Sequence, residues 1–142
     1  DLEDSPIPSG SSSAALGLLR LHALTGEAEY ERWAASTIAL AHELAPRYPV
    51  AFGHLLQAIA WAVGPAREVA IVGPGPQPLL DVVRAAYRPR IVLAGGPGPS
   101  DEVPLLAGRE PLDGRAAAYV CERFACRRPV ADPDELAALL DG

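Results

Sequence analysis

At 142 residues, 49% hydrophobic and 21% charged, the chain can form one domain or two small ones without a disulfide or metal staple. Its formal net charge is -6 and all 12 basic residues are arginine; with no basic stripe to neutralise phosphates, nucleic acid is excluded as a partner. The apolar stretches, such as Ala58–Val63, fall far short of a membrane span, and no signal peptide or lipidation motif is present, so a reducing cytoplasm is expected for a chain with 2 cysteines.

The chain contains no methionine and starts "DLEDSPIP", as the interior of a longer polypeptide would, so a fragment is expected. The first half reads as three helices. "PSGSSSAALGLLRLHALTG" offers Ser9 or Ser11 as N-cap, carries Leu16, Leu18, Leu19, His22, Ala23 and Leu24, and stops at Gly26, which suits a C′ position. "EAEYERWAASTIALAHELA" places Tyr30, Trp33, Ala34, Thr37, Ile38, Ala41 and Leu44 on one stripe, with Glu27, Glu29 and Glu31 at the positive end of the helix dipole. The short link between the two predicts an antiparallel hairpin.

"VAFGHLLQAIAWAVG" predicts a third helix that stops at Gly64-Pro65. Phe52, Leu55, Leu56, Ile59, Ala60 and Val63 make one apolar face, while Ala58 and Trp61 make a second. Such a helix needs two partners.

After Pro65 the period changes. "REVAIVG" (67–73) and "RIVLAG" (90–95) are short, nearly unbroken apolar runs that predict strands covered on both faces, and "QPLLDVVRAAYR" between them has helical spacing. A β-α-β unit follows, with a third strand at 116–122 after a turn at Asp113-Gly114. Asp132, Pro133 and Glu135 mark the start of a last helix as N-cap, N1 and N3. The expected fold class is α/β: a helical segment over 1–64 and a small, three-stranded, mainly parallel α/β unit over 65–142.

The residues that carry chemistry are few. Cys121 and Cys126 are five apart in "AYVCERFACRRP". In one extended strand they would lie roughly 16 Å apart and on opposite faces, and only a tight turn through Glu122–Ala125, which has no Gly, Pro, Asn or Asp, joins them. Structural thiols are therefore the expectation, with a reactive thiol near Arg123, Arg127 and Arg128, or a disulfide, as the alternative. The spacing is not CxxC. His22, His42 and His54 show no zinc spacing, and no metal, cofactor or catalytic set is expected. "VGPGPQP" and "AGGPGPSDE" lie at strand ends where phosphates bind in open sheets, but prolines remove N–H donors, so Gly73, Gly75 and Gly95 are candidates for a minor anion site only.

Three stretches, "PIPSGSSSAALGLLRLHALTGEAEYERWA", "YPVAFGHLLQAIAWAVGPAREVAIVG" and "PLDGRAAAYVCERFACRRPVADPDELAALL", resemble the C-terminal end of thioredoxin-domain-containing proteins related to spermatogenesis-associated protein 20. The resemblance covers nearly the whole chain. It implies a thioredoxin-like domain upstream, then an (α/α) barrel similar to N-acylglucosamine 2-epimerases and six-hairpin glycosidases, whose last helices would be residues 8–64. Residues 66–142 would be a small terminal α/β segment. That family usually reads P-S-G-N-S where Pro8-Ser9-Gly10 is here followed by Ser11-Ser12, so a side-chain amide is missing.

The implied role is structural or docking, with no complete active site, and the remainder of the same polypeptide as partner. The alternative is a sugar-active, epimerase- or isomerase-like, or a thiol-redox enzyme. In it this segment completes a pocket for a carbohydrate-like small molecule, with Ser9, Gly10 and Ser11 at its mouth.

Overall fold

The computed structural model describes residues 2–142. The chain divides into a helical unit, formed by residues up to His22 with Glu27–Pro65, and an α/β unit, formed by Ala23–Gly26 with Ala66–Gly142.

The helical unit holds α1 (Gly10–Thr25) as far as His22, together with α2 (Ala28–Ala39) and α3 (Gly53–Val63), the last preceded by a 3-10 turn at Pro49–Phe52. Ser9 is the cap of α1: its Oγ accepts from Ser12 N at 3.1 Å, and Gly26 follows the helix with φ +77°. α2 ends six residues before the sequence pattern does. The Ser36 and Thr37 hydroxyls donate back to the carbonyls of Arg32 and Trp33, and the next turn slips to i−3 bonds, Leu40 N to Thr37 O and Ala41 N to Ile38 O. Such back-bonding competes with the helical ladder. The buried side of α3 draws on both predicted faces, with Phe52 (at its entry) and Leu55 from the first and Ala58 and Trp61 from the second, whereas Leu56 and Val63 of the first are exposed.

The α/β unit contains β1 (Arg67–Val72), α4 (Gln77–Arg84), β2 (Ile91–Gly96), β3 (Ala117–Glu122), β4 (Ala125–Cys126) and α5 (Pro133–Asp141), with a 3-10 turn at Pro104–Leu106. The sheet order is β2-β1-β3-β4. Where the sequence predicts three mainly parallel strands there are four, and only β1 and β2 run parallel. A parallel β3 would need a second covering helix on its crossover. The segment between β2 and β3 supplies only the 3-10 turn, so β3 enters antiparallel, and its own hairpin adds β4.

Strand alternation divides the side chains. Val69, Ile71, Ala118 and Val120 pack with Leu79 and Val83 of α4 and Leu136 and Leu140 of α5, forming the core. Glu68, Ala70, Val72, Ala117 and Cys121 are buried on the opposite side. Two arginines close helix ends: Arg88 donates to the carbonyls of Val82 and Val83, and Arg67 to those of Leu139 and Leu140. The N-cap is as expected at α5, where Asp132 accepts from Asp134 N and Glu135 N at 2.8 and 3.1 Å. No helix among the described residues is long and apolar enough to cross a membrane.

Candidate functional site

The β3–β4 hairpin holds the chain's most distinctive chemistry. Two residues, Arg123 and Phe124, make its turn, both with positive φ (48° and 62°). A two-residue hairpin turn normally uses Asn-Gly or Asp-Gly for that purpose. Here a remote carboxylate holds the backbone. Glu68 on β1 sits opposite Cys121 in the register, is only 4% exposed, and accepts from Arg123 N at 3.1 Å and Phe124 N at 3.2 Å. These are charge-assisted bonds to two amides that the hairpin itself leaves unpaired.

That turn overturns the expectation of two unpaired thiols. Cys121 and Cys126 are directly paired across the hairpin with Cα atoms 3.9 Å apart, and they form a disulfide. The spacing argument placed both in one extended strand; the Glu68 carboxylate makes a turn out of residues with no turn propensity, and the chain reverses between them. Cys121 is buried at 1% exposure, while Cys126 is half-buried.

The arginines next to the cysteines in sequence are not those that approach the sulfur. Arg123, Arg127 and Arg128 are exposed, and Arg128 lies 3.7 Å from Glu135. Arg109 fills the role instead, with Nη2 4.0 Å from Cys121 Sγ. Its guanidinium stacks 5.2 Å from the centre of the Tyr119 ring. The Tyr119 hydroxyl donates to Glu110 O at 2.8 Å and accepts from Glu110 N at 3.1 Å, which fixes the backbone next to Arg109. Arg109 Nε is buried without an acceptor. No local spacing in the sequence joins Arg109 or Glu68 to the cysteines; the one hint is Glu68 itself, an acid that directly precedes the apolar run "VAIV" within a predicted strand covered on both faces.

At the carboxyl ends of β1 and β2 lies a cleft of about 360 Å³, lined by Ile71, Gly73, Pro76, Leu80, Gly95, Gly96 and Pro97. Gly73 and Gly95, two of the three anion-site candidates, are in its wall, and Gly75 (φ +65°) is not. Gly73 is required by geometry: with φ +110°, a Cβ there would come within 3.0 Å of Ala116 Cα and Pro111 Cβ. Its N–H is already given to Gly96 O. No charged side chain lines this cleft, whose chemistry is that of a small apolar pocket.

In the helical unit, sequence reading passed over Asp4. Its Oδ1 accepts from Ser9 N at 2.7 Å and from the Ser12 hydroxyl, and its Oδ2 accepts from His54 N at 2.8 Å and Leu55 N at 3.1 Å. Phe52 stands at the N-cap of α3 and has no side-chain oxygen, so Asp4 caps that helix from about fifty residues away and the entry of α1 as well. Burial alone would raise its pKa. The bonds from the Ser12 hydroxyl and from the amides of Ser9, Leu55 and His54 outweigh that and lower it to about 2.

Of the pocket-mouth candidates, Ser9 is buried and its hydroxyl lies 2.9 Å from that of Ser12; Gly10 is exposed and Ser11 half-buried. The cluster therefore joins Ser9 to Asp4 and Ser12. The three histidines make backbone contacts: His22 Nδ1 to Glu27 O, His42 Nδ1 to Ala39 O, and His54 through its amide to Asp4.

Compared with known proteins, the chain is similar to human spermatogenesis-associated protein 20, with 32% identity over 99% of this chain and 19% of that protein. The rat protein of the same name is 33% identical over the same shares, and the mouse protein 31%. The chain thus spans about a fifth of the length of these relatives, a match consistent with their C-terminal region. No family model and no solved structure matches it.

Proposed function

We propose that this chain, similar along nearly its whole length to one fifth of spermatogenesis-associated protein 20, is a structural and docking segment of a larger polypeptide, with its helical unit completing a helical assembly. The observation that carries this reading is the exposed apolar surface of that unit. Val50 is 94% exposed and Val63 81%, and Trp33, Leu40, Leu44, Tyr48 and Leu56 are exposed too. Surface apolar residues are ordinary when scattered, but this many large ones between Trp33 and Val63, on α2 and α3 and in the segment that links them, mark a surface that takes a partner. The α/β unit differs, since α4 and α5 cover the sheet core from within the same unit.

The relatives extend well beyond the fifth that this chain matches, and in this reading the occupant is further helices of the same polypeptide. An (α/α) barrel is the architecture that this reading favours, in keeping with a third helix that has two apolar sides.

Substitution tests this directly. Leu40→Glu and Val63→Glu should leave the melting temperature of this chain within about 2 °C of the parent, because both side chains already face water. In the longer polypeptide the same changes should each cost about 2–3 kcal/mol, as a charge is forced into an apolar contact. Equal, negligible effects in both contexts would show that nothing packs on this face.

A further inference from the structure

We propose that Cys121–Cys126 is a redox-active disulfide that exchanges with thiols while the hairpin around it stays folded. Three independent features converge on the bond. The first is access. Cys121 is 1% exposed and Cys126 half-buried, so an incoming thiolate reaches the sulfur of Cys126 and Cys121 is the leaving group.

The second is charge. The leaving sulfur departs as a thiolate, and its departure is favoured by anything that stabilises that negative charge. Arg109 Nη2 is 4.0 Å from Cys121 Sγ, and the adjacent Nε–H is buried without an acceptor. A buried guanidinium donor left unsatisfied is costly; a thiolate on Cys121 puts a negative charge within reach of that guanidinium, which offsets the repulsion from the Glu68 carboxylate opposite, itself bonded to the Arg123 and Phe124 amides. The Tyr119 ring and the Tyr119–Glu110 bonds keep the guanidinium on that side of the strand.

The third is preorganisation. In most hairpins closed by a disulfide across an unfavourable turn, the bond would hold the turn. Here the Glu68 carboxylate holds Arg123 N and Phe124 N independently of the sulfurs. A reduced pair therefore stays opposed across β3 and β4, ready to be oxidised again.

The chemistry balances without a further reagent beyond thiols. A thiolate RS⁻ attacks Cys126 Sγ, the S–S bond breaks, and its electron pair goes to Cys121 Sγ. A second RS⁻ attacks the R sulfur of the mixed disulfide, which releases RSSR and the Cys126 thiolate. Both cysteine thiolates take up the protons that the two RSH lost, so two thiols are oxidised and one disulfide is reduced.

The test equilibrates the native chain with a glutathione redox buffer, or with an unstructured peptide that carries a single cysteine, quenches by alkylation and maps the products by mass spectrometry. Expected are reversible reduction, a native circular dichroism spectrum in the dithiol form, and mixed disulfide on Cys126 rather than Cys121. Faster exchange with glutathione assigns small-molecule thiols as the substrate, and faster exchange with the peptide assigns protein thiols. Arg109→Gln should slow reduction by about tenfold, and Arg109→Lys should restore most of the rate. Reduction of the wild-type chain only on unfolding would overturn the proposal, as would mixed disulfide mainly on Cys121. So would an Arg109→Gln rate within about twofold of wild type.

Discussion

Replacing Asp4 with alanine is expected to destabilise the helical unit by about 3 kcal/mol at neutral pH, a large effect for a polar residue outside the apolar core. One carboxylate receives four hydrogen bonds, from Ser9 N, the Ser12 hydroxyl, His54 N and Leu55 N. Two of these donors belong to the first turn of α3 and the others to the entry of α1, so the charge also lies at the positive ends of two helix dipoles. Loss of a single cap costs typically about 1 kcal/mol. Loss of a charged acceptor shared by two helices, which leaves four donors to find water, should cost roughly three times as much, or a fall of about 10 °C in melting temperature.

The same residue sets an acid transition. Its pKa is lowered from 3.8 to about 2 in the folded chain, so the folded state binds this proton less readily than the unfolded state does. The resulting stability is fully present above about pH 4 and is lost as pH falls towards 2, a contribution on the order of 2 kcal/mol. Denaturant titrations of wild type and Asp4→Ala between pH 7 and 2 should therefore converge at the acid end. Parallel curves that keep their full separation at pH 2 would remove the carboxylate's charge from the explanation.

The elements that could be read from the sequence were those whose signals are local. Asp132 caps α5 because the acceptor and both donors lie within three residues, and Asp113-Gly114 turns with positive φ at both positions because those residues tolerate it. β1 and β2 were plain from their unbroken apolar runs. The hairpin at Arg123-Phe124 was not legible, because what makes it a turn is Glu68, 55 and 56 residues upstream.

Asp4 is the same case, with its α3 donors 50 and 51 residues away. In both, the backbone amides of one segment are satisfied by the carboxylate of another, and neither propensity nor spacing records such a pairing. The antiparallel entry of β3 was missed for a related reason: an apolar run shows that a strand is covered, not which way it runs. Only the absence of a crossover helix before it carried that information.

Glu68→Ala is the second large effect, expected to cost about 3 kcal/mol in the oxidised chain and more once Cys121–Cys126 is reduced. Arg123 and Phe124 hold φ values of 48° and 62°, a region that costs a non-glycine residue on the order of 1 kcal/mol or more. In wild type that cost is offset by two charge-assisted bonds to a carboxylate 4% exposed to solvent. With alanine at 68 the strain remains and the two amides lose their acceptor. The disulfide then becomes the main restraint on the turn.

Amide exchange should show the consequence. In the oxidised variant β3 and β4 stay protected, whereas in the reduced variant the β4 amides exchange freely and reoxidation slows, because the two sulfurs no longer wait opposite each other. Glycine adopts positive φ without penalty. Adding Arg123→Gly to Glu68→Ala should therefore recover about 1 kcal/mol, since Arg123 is exposed and its side chain contributes no buried packing. A Glu68→Ala chain that reoxidises as fast as wild type, with or without glycine at 123, would mean that the turn is held by something other than this carboxylate.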